Sequence, residues 1–192
     1  SSGSFAEGRL AGKAAVAYVV DVGAAPTIDD GQVQDLRTEL WKPFENYEQG
    51  RRGSTTDDVN PNYLFPKMAL HRLQKFMDEY AAGQGSQYIT NEAMLLKGLD
   101  RMKVFKEDLG KLAAKDPHDL LRCWEVWDRT WSAEAHMRHL LFRTETRWPG
   151  YYYRPDYPTL DDENWKVFVN SRYDAKTGDW QLEKVPFHSN IA

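Results

Sequence analysis

Cysteine is almost missing from this sequence: Cys123 stands alone. One thiol cannot close an internal disulfide, and it cannot build a cysteine-based zinc or iron–sulfur site. A reducing cytoplasm suits such a chain. Long apolar runs are missing too. Ala11–Val20 is the best stretch, and it carries Lys13 and is too short to span a bilayer. It also lacks the basic start and cleavage site of a signal peptide. No block of one charge sign occurs: 25 basic residues face 29 acidic ones, for a net charge of -4. A nucleic-acid or membrane-surface role therefore gets little support. Glycine-rich phosphate loops, a Ser–His–Asp order, zinc spacings, internal repeats and low-complexity segments are absent as well.

Aromatic residues are plentiful: seven Trp, ten Tyr and eight Phe. Such a chain can bury a core and still hold large apolar surfaces for a partner. The first helix is expected over Ser4–Val20, with Ser4 as cap and Glu7 at the capping-box spacing. Gly8 and Gly12, with Ala11 and Ala15, leave one side of it thin, and Gly23–Pro26 breaks it. Ser1 is not an initiator methionine, and this small-residue helix opens with no strand before it, so a preceding segment is expected. Apolar residues at i, i+3, i+4 spacing predict four longer helices, at 31–49, 62–81, 91–114 and 117–143. Asn91 and Asp116–Pro117 are good helix starts. Gly50, Gly53, Asn60 and Pro61 mark one loop, and Gly83 and Gly85 another. Residues 146–164 then lose the helical period; with four Tyr and three Pro they read as an ordered aromatic loop. WKVFVNSRY and GDWQLEKVPF alternate around DAKTG, which predicts a β-hairpin with Gly178 in its turn.

Several residues invite a chemical reading. A Ser-Gly-Ser helix start offers unpaired N–H groups and a partial positive charge, suited to an anion or to the ring of a reduced flavin; an ordinary capped helix looks the same. His136 and His139 lie i, i+3 near Glu134, but no third ligand stands near, so a solvated or partner-facing pair is the better reading than a metal site. Cys123, beside Trp124 and Trp127, reads as a buried, inert thiol. Asp161, Asp162 and Glu163 read as a solvated turn or helix start. Arg143, Arg147 and Arg154 flank the aromatic loop and are expected to pair with Glu145, Asp156 or the acidic run. Nothing among these residues makes a self-contained active site.

Longer motifs point further. SSGSFAEGRLAGKAA resembles the last flavin-contacting segment of the fumarate reductase/succinate dehydrogenase flavoprotein superfamily. WKPFENYEQG, NPNYLFPKM, LLRCWEVW, TETRWPGYYYRPDYP and DDENWKVFVNSRYDAKTG resemble one branch, the flavin-bearing α subunits of dissimilatory adenylylsulfate (APS) reductases. The likeness runs from Ser1 nearly to the C-terminus. Trp148-Pro149 stands where the dicarboxylate enzymes have Gly-Ala or similar.

The resemblance implies a mainly α fold. A helical bundle domain (26–145) is preceded by the closing helix of an FAD-binding domain (1–25) and followed by an aromatic loop and a C-terminal β-hairpin (146–192). It implies interconversion of adenylylsulfate with sulfite and AMP through a flavin–sulfite adduct. FAD would be held mainly by a Rossmann-type part upstream of Ser1, where the family's catalytic His and Arg also lie, so no catalytic side chain is expected in this chain. Ser2, Gly3, Ser4 and Phe5 match the flavin-contacting stretch, and Arg147 is the candidate for a supporting role near substrate. The implied partner is a ferredoxin-like β subunit carrying two [4Fe–4S] clusters, with docking to a membrane electron-transfer complex as a further possibility. As a C-terminal fragment, the chain alone would be inactive and poorly folded, having lost the surface its apolar face packs on. A fumarate- or succinate-type flavoenzyme and a stand-alone helical interaction module are the alternatives.

Overall fold

The computed structural model describes residues 2–52, 60–148 and 150–188, with the backbone alone for Ser2. Two compact units divide between Leu40 and Trp41. In the first, helix α1 spans Ser2–Val22 and ends at Gly23, whose φ of 67° supplies the left-handed residue that stops a helix. Helix α2 spans Asp30–Gly50 and crosses the division. Asp29 caps it, its Oδ1 accepting from the N–H groups of Gly31 (2.8 Å) and Gln32 (3.2 Å).

The second unit holds the core. Helices α3 (Pro66–Tyr80), α4 (Glu92–Leu109) and α5 (Pro117–Phe142) pack mutually. Leu95, Leu99, Met102 and Phe105 of α4 meet Ala69 and Leu73 of α3 and Cys123, Val126 and Met137 of α5. Each fully buried large apolar side chain contributes about 1.5–3 kcal/mol. Gly98 sets how closely the three helices approach. A Cβ there would lie 2.9 Å from Tyr80 Cβ and 3.0 Å from Met137 Sδ.

The two expected helix starts are realised. Asn91 accepts from the Met94 N–H at 2.9 Å, and Asp116 accepts from the Asp119 N–H at 2.9 Å, with Pro117 in the first turn. Three boundaries differ from expectation. The first helix begins at Ser2, so Ser4 lies inside it and the Ser4–Glu7 capping box does not form. Residues 62–65 are not helical: Leu64 pairs with Leu112 in a short parallel bridge, held by Leu64 N to Lys111 O (2.9 Å) and Ala113 N to Leu64 O (3.0 Å). α4 accordingly ends at Leu109 rather than 114: the N–H groups of 110–112 only tighten its last turn, while the Ala113 and Ala114 N–H groups bond to the carbonyls of Leu64 and Pro43. Tertiary hydrogen bonding there outweighs an apolar pattern that reads as helix. Gly53 of the first expected loop lies outside the described residues.

The end of α2 is tied to the same segment. Asn46 Nδ2 donates to the carbonyls of Gly110 (3.0 Å) and Leu112 (2.8 Å), and the Pro43 carbonyl accepts from Ala114 N. Tyr47, Tyr63 and Phe65 pack together there with their rings tilted to one another. A short helix α6 (Asp162–Trp165) leads into an antiparallel hairpin, β1 (Val167–Asp174) and β2 (Asp179–Pro186), in register Val167↔Pro186 to Asp174↔Asp179. Gly178, at φ 78°, sits in its turn. The hairpin's inner side carries Tyr173 and Trp180 onto Trp131 of α5, with ring centroids 4.4 and 6.0 Å away. Among the described residues, no helix is long and apolar enough to cross a membrane.

Gly98→Val is expected to force α3 and α5 away from α4 and to destabilise the protein by about 1–3 kcal/mol. Urea titration of the purified protein checks this; an unchanged midpoint would mean that the helices are not closely apposed at that position.

Candidate functional site

The aromatic loop is built around a carboxylate that water does not reach. Glu145 is fully buried, one residue past the Thr144 that follows the end of α5. Its Oε1 accepts from Arg143 Nη1 and Arg147 Nε, both at 2.6 Å. Its Oε2 accepts from Arg147 Nη2 (3.1 Å) and from the Asp161 backbone N–H (2.9 Å). A carboxylate has about four acceptor positions, and here all are taken. Glu145 is thus a structural anion, with no lone pair left for acid–base work on a substrate.

The surrounding cations extend the network. Arg143 also donates to the carbonyls of Trp165 (2.9 Å) and Val167 (3.0 Å), which fixes where β1 starts. Arg147 Nη2 reaches Asp162 at 2.8 Å. Its hydrogen bonds to Glu145, opposed by partial burial and joined by Asp162, hold the Arg147 guanidinium even more firmly protonated than usual. Arg154 is fully buried. It donates to the Leu140 carbonyl through Nη1, and through Nε and Nη2 to Asp156 at 2.8 and 2.7 Å. Such a two-pronged pair is the strong form of ion pairing. Asp156 Oδ2 in turn accepts from the Glu92 N–H at 2.9 Å, so the loop caps the first turn of α4. Thr90 N to Tyr153 O (3.0 Å) and Tyr153 N to Tyr88 O (2.7 Å) stitch the loop's middle to the 81–91 turn. Asp161 caps α6 through the Asn164 N–H, and the Asn164 side chain, first, lowers its pKa.

The expected pairing of Arg143, Arg147 and Arg154 with Glu145, Asp156 and the acidic run is what the structure shows. Trp148 is exposed; Pro149 lies outside the described residues. Gly3, Ser4 and Phe5 lie in the first turns of α1, and the Phe5 ring is exposed. No acidic residue occupies that first turn, and a helix starting there leaves the N–H groups of Ser2, Gly3 and Ser4 without acceptors of its own. The first unit and the aromatic loop belong to separate compact units.

Cys123 is buried, its Sγ 3.6 Å from the Ala113 carbonyl, and burial pushes the thiol pKa up to about 12. Loss of water around His136, then the neighbouring His139, depresses the His136 pKa. His139 is lowered in the same way and then by Arg143. Both imidazoles are therefore neutral near pH 7. Among the described residues, no three His, Cys, Asp or Glu side chains converge as a metal site. One cluster escaped the sequence reading. Glu134 is buried and accepts from Lys106 (2.6 Å) and Arg138 (2.7 Å). Burial acts to raise its pKa, but those two cations outweigh burial and the net shift is downward. The i, i+4 spacing of Glu134 and Arg138 was a readable signal for half of this cluster.

Two predictions follow from this geometry. Glu145→Gln leaves two partly buried guanidinium groups facing a neutral amide and is expected to cost about 3 kcal/mol. Urea titration, with proteolysis read between residues 146 and 160, checks it; a cost below about 1 kcal/mol would mean that the carboxylate is dispensable. The Arg154 hydrogen bonds, foremost, hold the Asp156 pKa below its usual value. Its contribution to stability is therefore complete above the unfolded value of about 3.9 and is lost as pH falls through the folded value. Asp156→Asn should flatten the stability-versus-pH curve below about pH 4; unaltered slopes would remove Asp156 from the acid response.

Comparison with known proteins agrees with the fold. The family described as the fumarate reductase flavoprotein C-terminal region matches residues 70–191. The adenylylsulfate reductase subunit alpha of Megalodesulfovibrio gigas is 44% identical over 191 residues, covering 100% of this chain and 29% of that protein. The adenylylsulfate reductase of the hyperthermophile Archaeoglobus fulgidus superposes with a TM-score of 0.95 at 54% identity, over 98% of this chain and 29% of that one. An adenosine-5-phosphosulfate reductase solved in complex with sulfite, as a covalent adduct, superposes with a TM-score of 0.96 at 54% identity, over 99% of this chain and 30% of that one. The chain thus spans less than a third of the length of these relatives.

Proposed function

The chain belongs to the fumarate reductase flavoprotein C-terminal family, and we propose that it forms part of the FAD-bearing α subunit of an adenylylsulfate reductase. The observation that carries this reading is identity of 44–54% to adenylylsulfate reductases along practically the whole chain. In the whole subunit the reaction is the interconversion of adenylylsulfate with sulfite and AMP, a two-electron change at sulfur. FAD, when bound, would carry that electron pair, giving it up as adenylylsulfate is reduced and taking it up in the reverse direction.

The residues of this chain serve that reaction by holding and orienting. The start of α1 suits a flavin ring edge. Its first-turn N–H groups have no acceptor in the helix, the helix end carries partial positive charge, and no carboxylate opposes a developing negative charge there. On this reading Ser2, Gly3, Ser4 and Phe5 contact the flavin. Residues 1–25 complete an FAD-binding domain, 26–145 form the helical domain, and 146–192 form an extension that braces it. Arg147, already engaged by Glu145 and Asp162, keeps the loop near substrate in shape. No side chain of this chain takes or gives a proton in the reaction. A β subunit with two [4Fe–4S] clusters as electron partner, and a cytoplasmic location, come from the resemblance.

The test is an assay of the whole subunit, purified with its flavin and its electron-transfer partner. With a low-potential donor it is expected to consume adenylylsulfate and release AMP and sulfite in equal amounts, leaving fumarate untouched. Fumarate reduction with no turnover of adenylylsulfate would overturn the assignment.

A further inference from the structure

A groove of about 510 Å³ runs between α3 and α4, on a face that none of the networks described above uses. Its floor is aromatic. Phe76 and Tyr80 meet edge to face at 5.3 Å, and Phe105 lies opposite, with Val104 exposed on the rim. Its walls are cationic. Arg72, Lys75, Lys97 and Arg101 stand against Glu79 and Asp100, a local excess of positive charge in a chain whose net charge is -4.

The cations differ in how they are engaged. Arg72 is held by Asp108 at 2.7 Å and lies 5.3 Å from the Phe105 ring centroid. Asp100 faces Lys103 at 3.5 Å. Lys75, Lys97 and Arg101 are exposed, and among the described residues no carboxylate lies within ion-pair distance of them. The wall residues recur at i, i+3 and i+4 along both helices, so they line a straight trough. From position 72 to 80 its length is about 12 Å, at 1.5 Å per residue.

We propose that this groove docks an acidic segment of a second polypeptide, one that seats an apolar side chain on the Phe76–Tyr80–Phe105 floor. Charge complementarity selects the occupant: Lys75, Lys97 and Arg101, outside any ion pair, outnumber Glu79 along the trough, and an apolar floor anchors the chain between them. A small anion fits less well. Small-molecule sites are concave, with a few polar groups placed to converge on the ligand, whereas these cations project separately from two helix faces.

The experiment places a photo-reactive benzoylphenylalanine at Val104 in the whole protein, in the cells that make it, and identifies the cross-linked peptide by mass spectrometry. The expected adduct is an acidic segment of a different polypeptide. Its yield should fall about tenfold in the Lys75→Glu/Lys97→Glu/Arg101→Glu variant, and similarly in lysate when salt rises from about 50 mM to about 500 mM. The milder Lys75→Gln/Lys97→Gln/Arg101→Gln variant should lose less, with an unaltered thermal midpoint in both. An adduct within the protein's own chain, an adduct insensitive to charge reversal and salt, a partner segment without net negative charge, or no adduct would each overturn the proposal.

Discussion

Everything after α5 depends on the burial of one negative charge. Glu145 sits where the chain leaves the last long helix, and its two oxygens hold Arg143, Arg147 and the Asp161 N–H together. Removing a carboxylate from water is costly unless every acceptor position is filled by a good donor, and here each one is. Arg143 carries the constraint on to the carbonyls that begin β1, and Arg147 carries it to α6. A single buried carboxylate thereby determines where an aromatic loop, a helical turn and a hairpin start.

A second ionic knot repeats the principle on the other side of the loop. Arg154 is buried between the Leu140 carbonyl and Asp156, and Asp156 in turn caps α4. The loop is thus pinned to two neighbouring helix ends on one side of the bundle, the C-terminal turn of α5 and the N-terminal turn of α4. Loops of this length are usually mobile unless function or packing orders them. Here fixed ion pairs and backbone bonds to the 81–91 turn supply the order, while the aromatic rings of Trp148 and Tyr151 remain exposed.

How much of this was legible depends on whether the cause was local. Asn91 and Asp116 act on N–H groups three residues away, so their caps could be read directly. The hairpin declared itself through strict alternation around Asp174–Gly178. The pairing of Arg143 and Arg147 with Glu145 was readable too, because the partners lie two residues apart. What stayed hidden were long-range bonds with no local trace. The Leu64–Leu112 bridge converts two apolar helix-like stretches into extended chain, and Asn46 reaches 64 residues ahead to Gly110. The Ser4–Glu7 box failed for a different reason: the motif was present, but the helix had already begun at Ser2. Nor did composition reveal that Glu134 is enclosed by Lys106 and Arg138, since Lys106 comes from another helix. The start of α1 was readable as a helix end, while its link to a flavin came only from a resemblance.

Cys123 gives the protein a built-in clock. The single thiol lies on the buried face of α5, closed to solvent and held protonated by its surroundings. A thiolate-seeking reagent can reach it only while the core around Ala113 and Val126 is open. The rate of labelling in the native protein therefore counts those openings, and its dependence on reagent concentration separates how often they occur from how long they last. No engineered probe is required, and labelling read on the peptide that carries Cys123, the one cysteine of these 192 residues, reports from a single place. The same atom that contributes nothing to the chemistry of the site reports how tightly the bundle beneath that site is shut.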